Sequence, residues 1–247
     1  MRHWAARLTG ERNQLTEATT RRLKRLAADD SPVVHAGVAT ALAWCFGVGL
    51  GWVFARTRLP GRGLLEAICM LPLVLPPVVT GWLLLLAFGA QGMIGRWLAG
   101  FGVSVMFRWT GAAIASAIMA FPLMVRAMRL SIAAVDRRFE SAARTLGASR
   151  LRVFWGITLP MVMPGILAGL VLGFARSLGE FGATITFVSN IPGETQTLPS
   201  AIYTLTQVPG GDAGALKLTL ISVVISMAAL LGSELLARRA RGRRAAT

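Results

Sequence analysis

Residues 33–55 read VVHAGVATALAWCFGVGLGWVFA, a stretch that contains no Asp, Glu, Lys or Arg. A helix needs about 20 consecutive, mainly apolar residues to cross the hydrocarbon core of a bilayer. Because backbone groups in lipid must be hydrogen-bonded within their own segment, such a stretch predicts a membrane-spanning helix. Further apolar stretches of similar character follow at about 64–88, 109–125, 159–185 and 215–237. The sequence therefore predicts an all-α integral membrane protein with about five transmembrane helices.

The composition agrees with this class. Of the 247 residues, 54% are hydrophobic and 15% are charged, whereas soluble domains carry about 25% charged residues. Mean hydropathy is +0.60. We expect a polar N-terminal tail over 1–32, a transmembrane domain over 33–237 and a basic cytoplasmic tail over 238–247. The first tail lacks the short apolar core and cleavage site of a signal peptide.

The positive charges indicate an orientation. Lys and Arg number 26 against 11 acidic residues, and all but two of the 26 are arginine. Three lie in 56–62, seven in 126–152 and five in the C-terminal tail. Since cytoplasmic loops are enriched in Lys and Arg, this distribution predicts a multi-pass protein with its N-terminus outside and its C-terminus inside. It also argues against nucleic acid as a partner, because the arginines lie between apolar stretches.

Several kinds of chemistry are excluded by the residue inventory. Cys45 and Cys69 both lie in apolar stretches, and His3 and His35 are the only histidines, so neither a disulfide framework nor a zinc site is expected. Neither lysine follows a glycine, so the chain has no phosphate-binding GxxxxGK loop. No nucleophile–base pair points to catalysis. We therefore expect no enzyme activity, metal or cofactor in this chain, and any ATP to be bound by another subunit.

The polar segment 126–158 contains the most informative pattern. Residues 140–147 read ESAARTLG, and after nine residues 157–160 read ITLP. Small residues permit close approach to a partner, Gly147 permits a sharp turn, and Pro160 suits the start of a helix. The pattern predicts a helix–turn–helix outside the membrane that docks in a groove of another protein, although an ordinary amphipathic loop has the same composition.

This segment resembles the coupling loop of ABC importer permeases. In that family the loop docks on the cytoplasmic ATPase and transmits its closure to the membrane helices. The family's usual glutamate falls on Ser141, with Glu140 one position earlier. The resemblance rests on Ala142, Ala143, Gly147, Ile157, Leu159 and Pro160.

Two further stretches narrow the resemblance. Residues 71–81 read LPLVLPPVVTG, and residues 177–187 read SLGEFGATITF, followed by PGET at 192–195. Together with the coupling loop they resemble the molybdate ABC transporter permeases, over roughly 33–236. The resemblance implies a type I transmembrane domain in the bacterial cytoplasmic membrane. It also implies a second copy of the chain, an ATPase dimer that binds ATP and magnesium, and a periplasmic molybdate-binding protein.

Prolines 72, 76 and 77 are expected to bend the second span. Each lacks a backbone donor, so the freed carbonyls must be satisfied by neighbours or by a water-filled path. The bend has two interpretations, a gate or a kink for packing. Thr80 and Gly81 likewise either line a path or let helices approach closely.

Arg176 and Glu180 are one helical turn apart near the outer end of the fourth span, so they share a face. Charged residues within a membrane are costly and usually face a cavity or a partner. One hypothesis places the pair on the translocation path, where Arg176 attracts a divalent oxyanion. The other is a mutually neutralising structural pair.

These observations favour the permease subunit of an ATP-driven importer that moves molybdate by alternating access. A permease for sulfate, thiosulfate or tungstate is the alternative within this class, because these dianions are similar in charge and shape. A proton-coupled carrier that acts alone needs a titratable relay across the membrane, and Glu180 is its one candidate.

Overall fold

The computed structural model describes residues 31–57 and 60–245, with side chains over 36–57 and 60–232. Residues 1–30 of the expected polar tail lie outside these ranges. Every regular element in the described ranges is helical. In chain order the helices are α1 (Ser31–Arg56), α2 (Arg62–Val74), α3 (Pro77–Phe88), α4 (Met93–Ala99), α5 (Trp109–Ala133), α6 (Arg137–Thr145), α7 (Arg150–Val153), α8 (Leu159–Leu178), α9 (Gly182–Val188), α10 (Leu198–Thr206) and α11 (Asp212–Ala245).

Four helical segments of the described chain are long and apolar enough to span a membrane, and the pair α2–α3 makes a fifth if it counts as one broken span. The four are Ala36–Arg56, Trp109–Ala133, Arg150–Leu178 and Asp212–Gly232. This confirms the predicted fold class. The last helix continues to Ala245, so residues 238–245 of the expected basic tail are part of it.

Helix α5 lies at the centre of the bundle. In its most apolar window 61% of the residues are buried, against 17% in α11. Helices α1 and α8 pack on two sides of α5, and α9 covers its N-terminal part. A centre made largely of alanine and methionine lets the neighbouring helices approach closely, as is usual in membranes.

Glycines spaced by four residues form the contact between α5 and α8. A methyl group added to Gly165 would overlap the hydroxyl of Ser131, and one added to Gly173 would overlap the thioether of Met124. At Gly169 the added carbon would lie 3.3 Å from Met128 Cγ. These two helices are therefore fixed at short range by the absence of side chains on one face of α8.

The second predicted span, 64–88, is two helices that meet at an angle of 112°. Leu75 is extended (φ −68°, ψ 142°), as expected before a proline. Pro76 precedes α3, and Pro77 is its first residue, where a missing N–H costs nothing. Pro72 lies inside α2 without ending it. The break therefore occurs at Leu75 and Pro76.

The fourth span also differs from the predicted range 159–185. The helical segment begins at Arg150, passes through a π-helical turn at Phe154–Thr158 and ends at Leu178. A separate short helix, α9, follows after Glu180 and Phe181. Pro160 has no N–H for the carbonyl four residues earlier, which disfavours regular α-helix at this point and suits a wider turn.

Candidate functional site: helix α6 and the buried ion pair

Local signals fix both ends of α6. The Asp136 carboxylate accepts the N–H of Arg138 at 2.9 Å and so caps the first turn. At the other end Gly147 adopts φ +83°, and its N–H donates to Arg144 O at 3.0 Å. The next N–H, of Ala148, reaches the carbonyl of Ala143 at 3.1 Å. This pair of bonds is a Schellman motif, which requires the left-handed residue that glycine supplies.

Helix α6 lies at the surface of the molecule, and none of its residues is buried. Phe139 is 56% exposed and Leu146, just after the helix, is 88% exposed. Leu151 and Trp155 continue this apolar surface beyond the turn. Large exposed apolar side chains among charged ones are typical of a protein-binding surface.

Glu140 points back into the molecule, and Ser141 is exposed. The Glu140 carboxylate accepts two hydrogen bonds from the Arg56 guanidinium, at 2.7 and 3.1 Å. It also accepts the hydroxyl of Thr158 at 2.8 Å. These contacts attach α6 to the end of α1 and to the π-helical turn before α8. Sequence analysis placed Glu140 in the loop but missed both partners.

A second ion cluster at the same end of the bundle was missed entirely. The Glu66 carboxylate binds Arg62 at 2.7 Å and Arg129 at 2.7 Å, so it ties α2 to α5. The spacing of four between Arg62 and Glu66 was a visible signal. Nothing in the sequence indicated Arg129, which is 63 positions away from Glu66.

Ile157, Leu159 and Pro160 lie where the segment that follows α6 joins α8. Ile157 is partly buried in the π-helical turn, and Leu159 begins the regular helix. The Leu159 N–H donates to the carbonyl of Phe154, five residues earlier. A single π-helical turn of this kind is often found at functional sites.

At the opposite end of α8, Arg176 and Glu180 form an ion pair of 2.6 Å. The Glu180 side chain is 1% exposed and that of Arg176 is 27% exposed. The second carboxylate oxygen of Glu180 accepts the N–H of Ala183 at 2.8 Å. Glu180 therefore both neutralises Arg176 and caps the start of α9.

Thr80 and Gly81 lie where α3 packs against α9. A methyl group on Gly81 would come within 2.6 Å of Ala183 O and 2.9 Å of its Cα, so close packing explains this glycine. The Thr80 hydroxyl is buried and has no hydrogen-bond partner among the described residues. The structure thus brings the turn of α3 that carries Thr80 close to the helix that Glu180 caps.

The two groups of candidate residues are far apart. Thr158, which binds Glu140, and Arg176 are separated by 18 residues of helix, or about 27 Å at 1.5 Å per residue. The described residues contain no group of three His, Cys, Asp or Glu side chains that would hold a metal ion. What the geometry offers is a helix with exposed apolar side chains at one end of α8 and a buried ion pair at the other.

Comparison with known proteins places this arrangement among transport proteins. Residues 47–242 match the family described as "Binding-protein-dependent transport system inner membrane component". A molybdenum transport system permease of Escherichia coli K12 is 58% identical over 199 residues, covering 80% of this chain and 87% of that protein. The corresponding permease of Haemophilus influenzae is 56% identical over 191 residues, covering 77% and 83%.

A more distant relative and a solved structure complete the comparison. A sulfate transport system permease of E. coli K12 is 38% identical over 178 residues, covering 72% of this chain and 64% of that protein. The fold resembles a chain of a methionine ABC transporter in inward-facing conformations, with a TM-score of 0.68 and 13% identity. That match covers 92% of this chain and 98% of the other.

Proposed function

This chain belongs to the family of binding-protein-dependent transport system inner membrane components, and we propose that it is the permease subunit of an ATP-driven molybdate importer. The observation that supports molybdate as the substrate is the difference in sequence identity, which is 58% to a molybdenum permease and 38% to a sulfate permease. Sulfate, thiosulfate and tungstate remain the competing substrates, because they share the charge and tetrahedral shape of molybdate.

The proposed assembly contains two copies of this chain, a cytoplasmic ATPase dimer and a periplasmic molybdate-binding protein. The exposed apolar residues on α6 supply a surface for the ATPase, which would bind ATP and magnesium. This chain has no phosphate-binding loop of its own. We expect its role to be conduction and coupling, with hydrolysis on the partner.

The proposed orientation places the N-terminus outside and α6 in the cytoplasm. In support, Arg56, Arg62, Arg129 and α6 lie at one end of the bundle, joined by the two ion clusters. Cytoplasmic loops are the ones that concentrate arginine. Single cysteines at positions 59 and 192, in a chain with Cys45 and Cys69 replaced, test this in intact cells. Labelling of position 59 by an impermeant reagent would refute the orientation.

The proposed mechanism is alternating access. ATP-driven closure of the ATPase moves α6, and the Glu140 contacts carry this motion to α1 and α8. Arg176, Glu180 and Thr80 are candidates for the path between the two copies. A path needs only weak binding, because the ion must leave as readily as it enters.

The test is uptake of radiolabelled molybdate at nanomolar concentration, in cells with and without this gene. We expect uptake that needs the gene and persists in excess sulfate. If excess sulfate abolishes the uptake of molybdate, the assigned substrate becomes sulfate. Uptake that persists when the partner ATPase cannot hydrolyse ATP would favour a stand-alone carrier and refute the importer.

A further inference from the structure

A cleft of about 380 Å³ lies between the end of α1 and helix α6. It is separate from the Arg176–Glu180 pair. Glu140 and Arg56, whose contact attaches α6 to α1, form part of its wall, but neither the sequence motifs nor the proposed transport mechanism assigns the cleft a ligand. Six side chains line it: Trp52, Arg56, Arg137, Glu140, Ser141 and Arg144. Three of the six are guanidinium groups and one is a carboxylate, so the cleft carries excess positive charge.

The single carboxylate of the cleft is already engaged. Glu140 uses both oxygens on Arg56 and one of them also on Thr158. Neither Arg137 nor Arg144 makes an ion pair within the described residues. The two guanidiniums therefore have their full donor capacity available to a ligand.

A buried donor in the wall of the cleft also lacks a partner. The Nε–H of Arg56 is buried and makes no hydrogen bond to the described residues. Its side chain is only 12% exposed and lies over the Trp52 ring, with 5.4 Å from Cζ to the ring centroid. A buried unpaired donor beside two guanidiniums without ion pairs calls for an acceptor that the described residues do not supply.

The periodicity of α6 separates this cleft from the docking surface. Arg137, Glu140, Ser141 and Arg144 recur at spacings of three and four, so they share one face of the helix. Phe139, Ala142, Ala143 and Leu146 recur in the same way and, at about 100° per residue, fall on the opposite face. An ATPase seated on the apolar face would leave the basic face turned toward α1.

We propose that this cleft is a binding site for a tetrahedral oxyanion group. Arginine forks match phosphate-type oxygens in geometry as well as charge. The group has two sources, the headgroup of an anionic phospholipid or a free oxyanion such as phosphate or molybdate. Basic pockets between helices at the cytoplasmic surface are suited to the first, and the test distinguishes the two.

The experiment uses the full transporter, with its ATPase subunits, in phospholipid nanodiscs. In nanodiscs of phosphatidylcholine, inorganic phosphate or molybdate is titrated and the heat of binding is measured. In nanodiscs that also contain phosphatidylglycerol, native mass spectrometry counts the phosphatidylglycerol molecules retained per transporter. We expect one of these probes to bind once per permease copy.

The variant that removes the site is Arg137→Gln with Arg144→Gln, for which we expect binding to weaken at least tenfold. Arg144→Lys keeps the charge but loses the fork, and we expect an intermediate loss. Arg137→Gln and Arg144→Gln are also made singly, and Arg150→Gln is their matched control, since it removes one charge from the same segment outside the cleft. Assembly with the ATPase, followed by size-exclusion chromatography, shows that each variant is folded.

Each outcome decides the proposal. Selective loss of retained phosphatidylglycerol in the double variant identifies a lipid headgroup, and selective loss of the phosphate or molybdate heat identifies a free oxyanion. Absence of every probe from the wild-type transporter overturns the site. So does an equal loss in Arg150→Gln, which would reveal bulk charge alone, or binding seen only after the ATPase is removed, which would assign the cleft to the ATPase. None of these readouts depends on transport, so the proposed binding site can be refuted without refuting the proposed importer function.

Discussion

The contact between Glu140 and Arg56 allows a quantitative test of coupling. The two side chains are 13% and 12% exposed and share two hydrogen bonds, with a third from Thr158. Removing one partner of a fully buried ion pair costs about 3–5 kcal/mol, whereas an exposed pair is worth about 0–1 kcal/mol. For Glu140→Gln, which keeps an amide in place, we expect a loss of about 2 kcal/mol in the free energy of unfolding.

The assay is a double-mutant cycle made of Glu140→Gln, Arg56→Gln and the combined variant, unfolded by denaturant in detergent micelles. We expect an interaction energy of about 1.5 kcal/mol. Once either side chain has been replaced, the ion pair is already lost, so the second substitution costs little more. Glu194→Gln is the control, since that carboxylate is exposed and lies outside the cluster. Effects that add within about 0.5 kcal/mol would refute the coupling of the two side chains.

The same variants have an expected functional signature. A loss of about 2 kcal/mol raises the population of detached α6 roughly 30-fold, at 1.36 kcal/mol per factor of ten. ATP hydrolysis by the assembled transporter should then continue while the molybdate imported per ATP falls. An unchanged ratio of molybdate to ATP in Glu140→Gln would show that α6 transmits motion without this contact.

Four other substitutions have defined outcomes. Gly81→Ala puts a carbon 2.6 Å from Ala183 O, and we expect a cost of about 1–3 kcal/mol from overpacking, read as a lower midpoint of thermal unfolding. Gly147→Ala places a side chain at φ +83° and should cost about 1 kcal/mol, measured as weaker binding of the ATPase. Arg176→Gln leaves the carboxylate of Glu180 buried and unpaired, so we expect loss of folded protein at about 3–5 kcal/mol, measured by size-exclusion chromatography. Adding Glu180→Gln should restore folding but leave uptake at least tenfold reduced, and full uptake would make the pair purely structural.

The membrane helices and their number were predictable because the hydrocarbon core sets the length of an apolar stretch. The spacing of four also predicted the proximity of Arg176 and Glu180, which the structure shows at 2.6 Å. The break after Leu178 was not predictable in the same way. Apart from Glu180 and Thr184, no charged or hydroxyl residue interrupts the sequence between Leu178 and Ile185. Only the structure shows that the Glu180 carboxylate accepts the Ala183 N–H at the start of a second helix.

The sequence pattern did not predict the contacts between distant parts of the chain. Arg56 and Glu140 are 84 positions apart, and local periodicity specifies which face a residue occupies but not which helix will lie opposite. The arginine count therefore indicated a common side for these segments without indicating which arginine binds which glutamate. The same limit applies to the cleft, which exists only because α6 folds back against the end of α1.

The contacts of Glu140 bear on how the proposed motion of α6 would pass the π-helical turn. The segment Arg150–Leu178 contains 29 residues and at 1.5 Å per residue extends about 43 Å, more than the hydrocarbon core. A regular helix of this length transmits displacement well, but the turn at Phe154–Thr158 replaces the i to i−4 bonds by wider ones and interrupts the ladder. Glu140 holds Thr158, the last residue of that turn, and the same carboxylate holds Arg56 on α1. We infer that this carboxylate bypasses the π-helical turn, so that α6 acts directly on the first regular turn of α8 and the displacement reaches Arg176 at the far end.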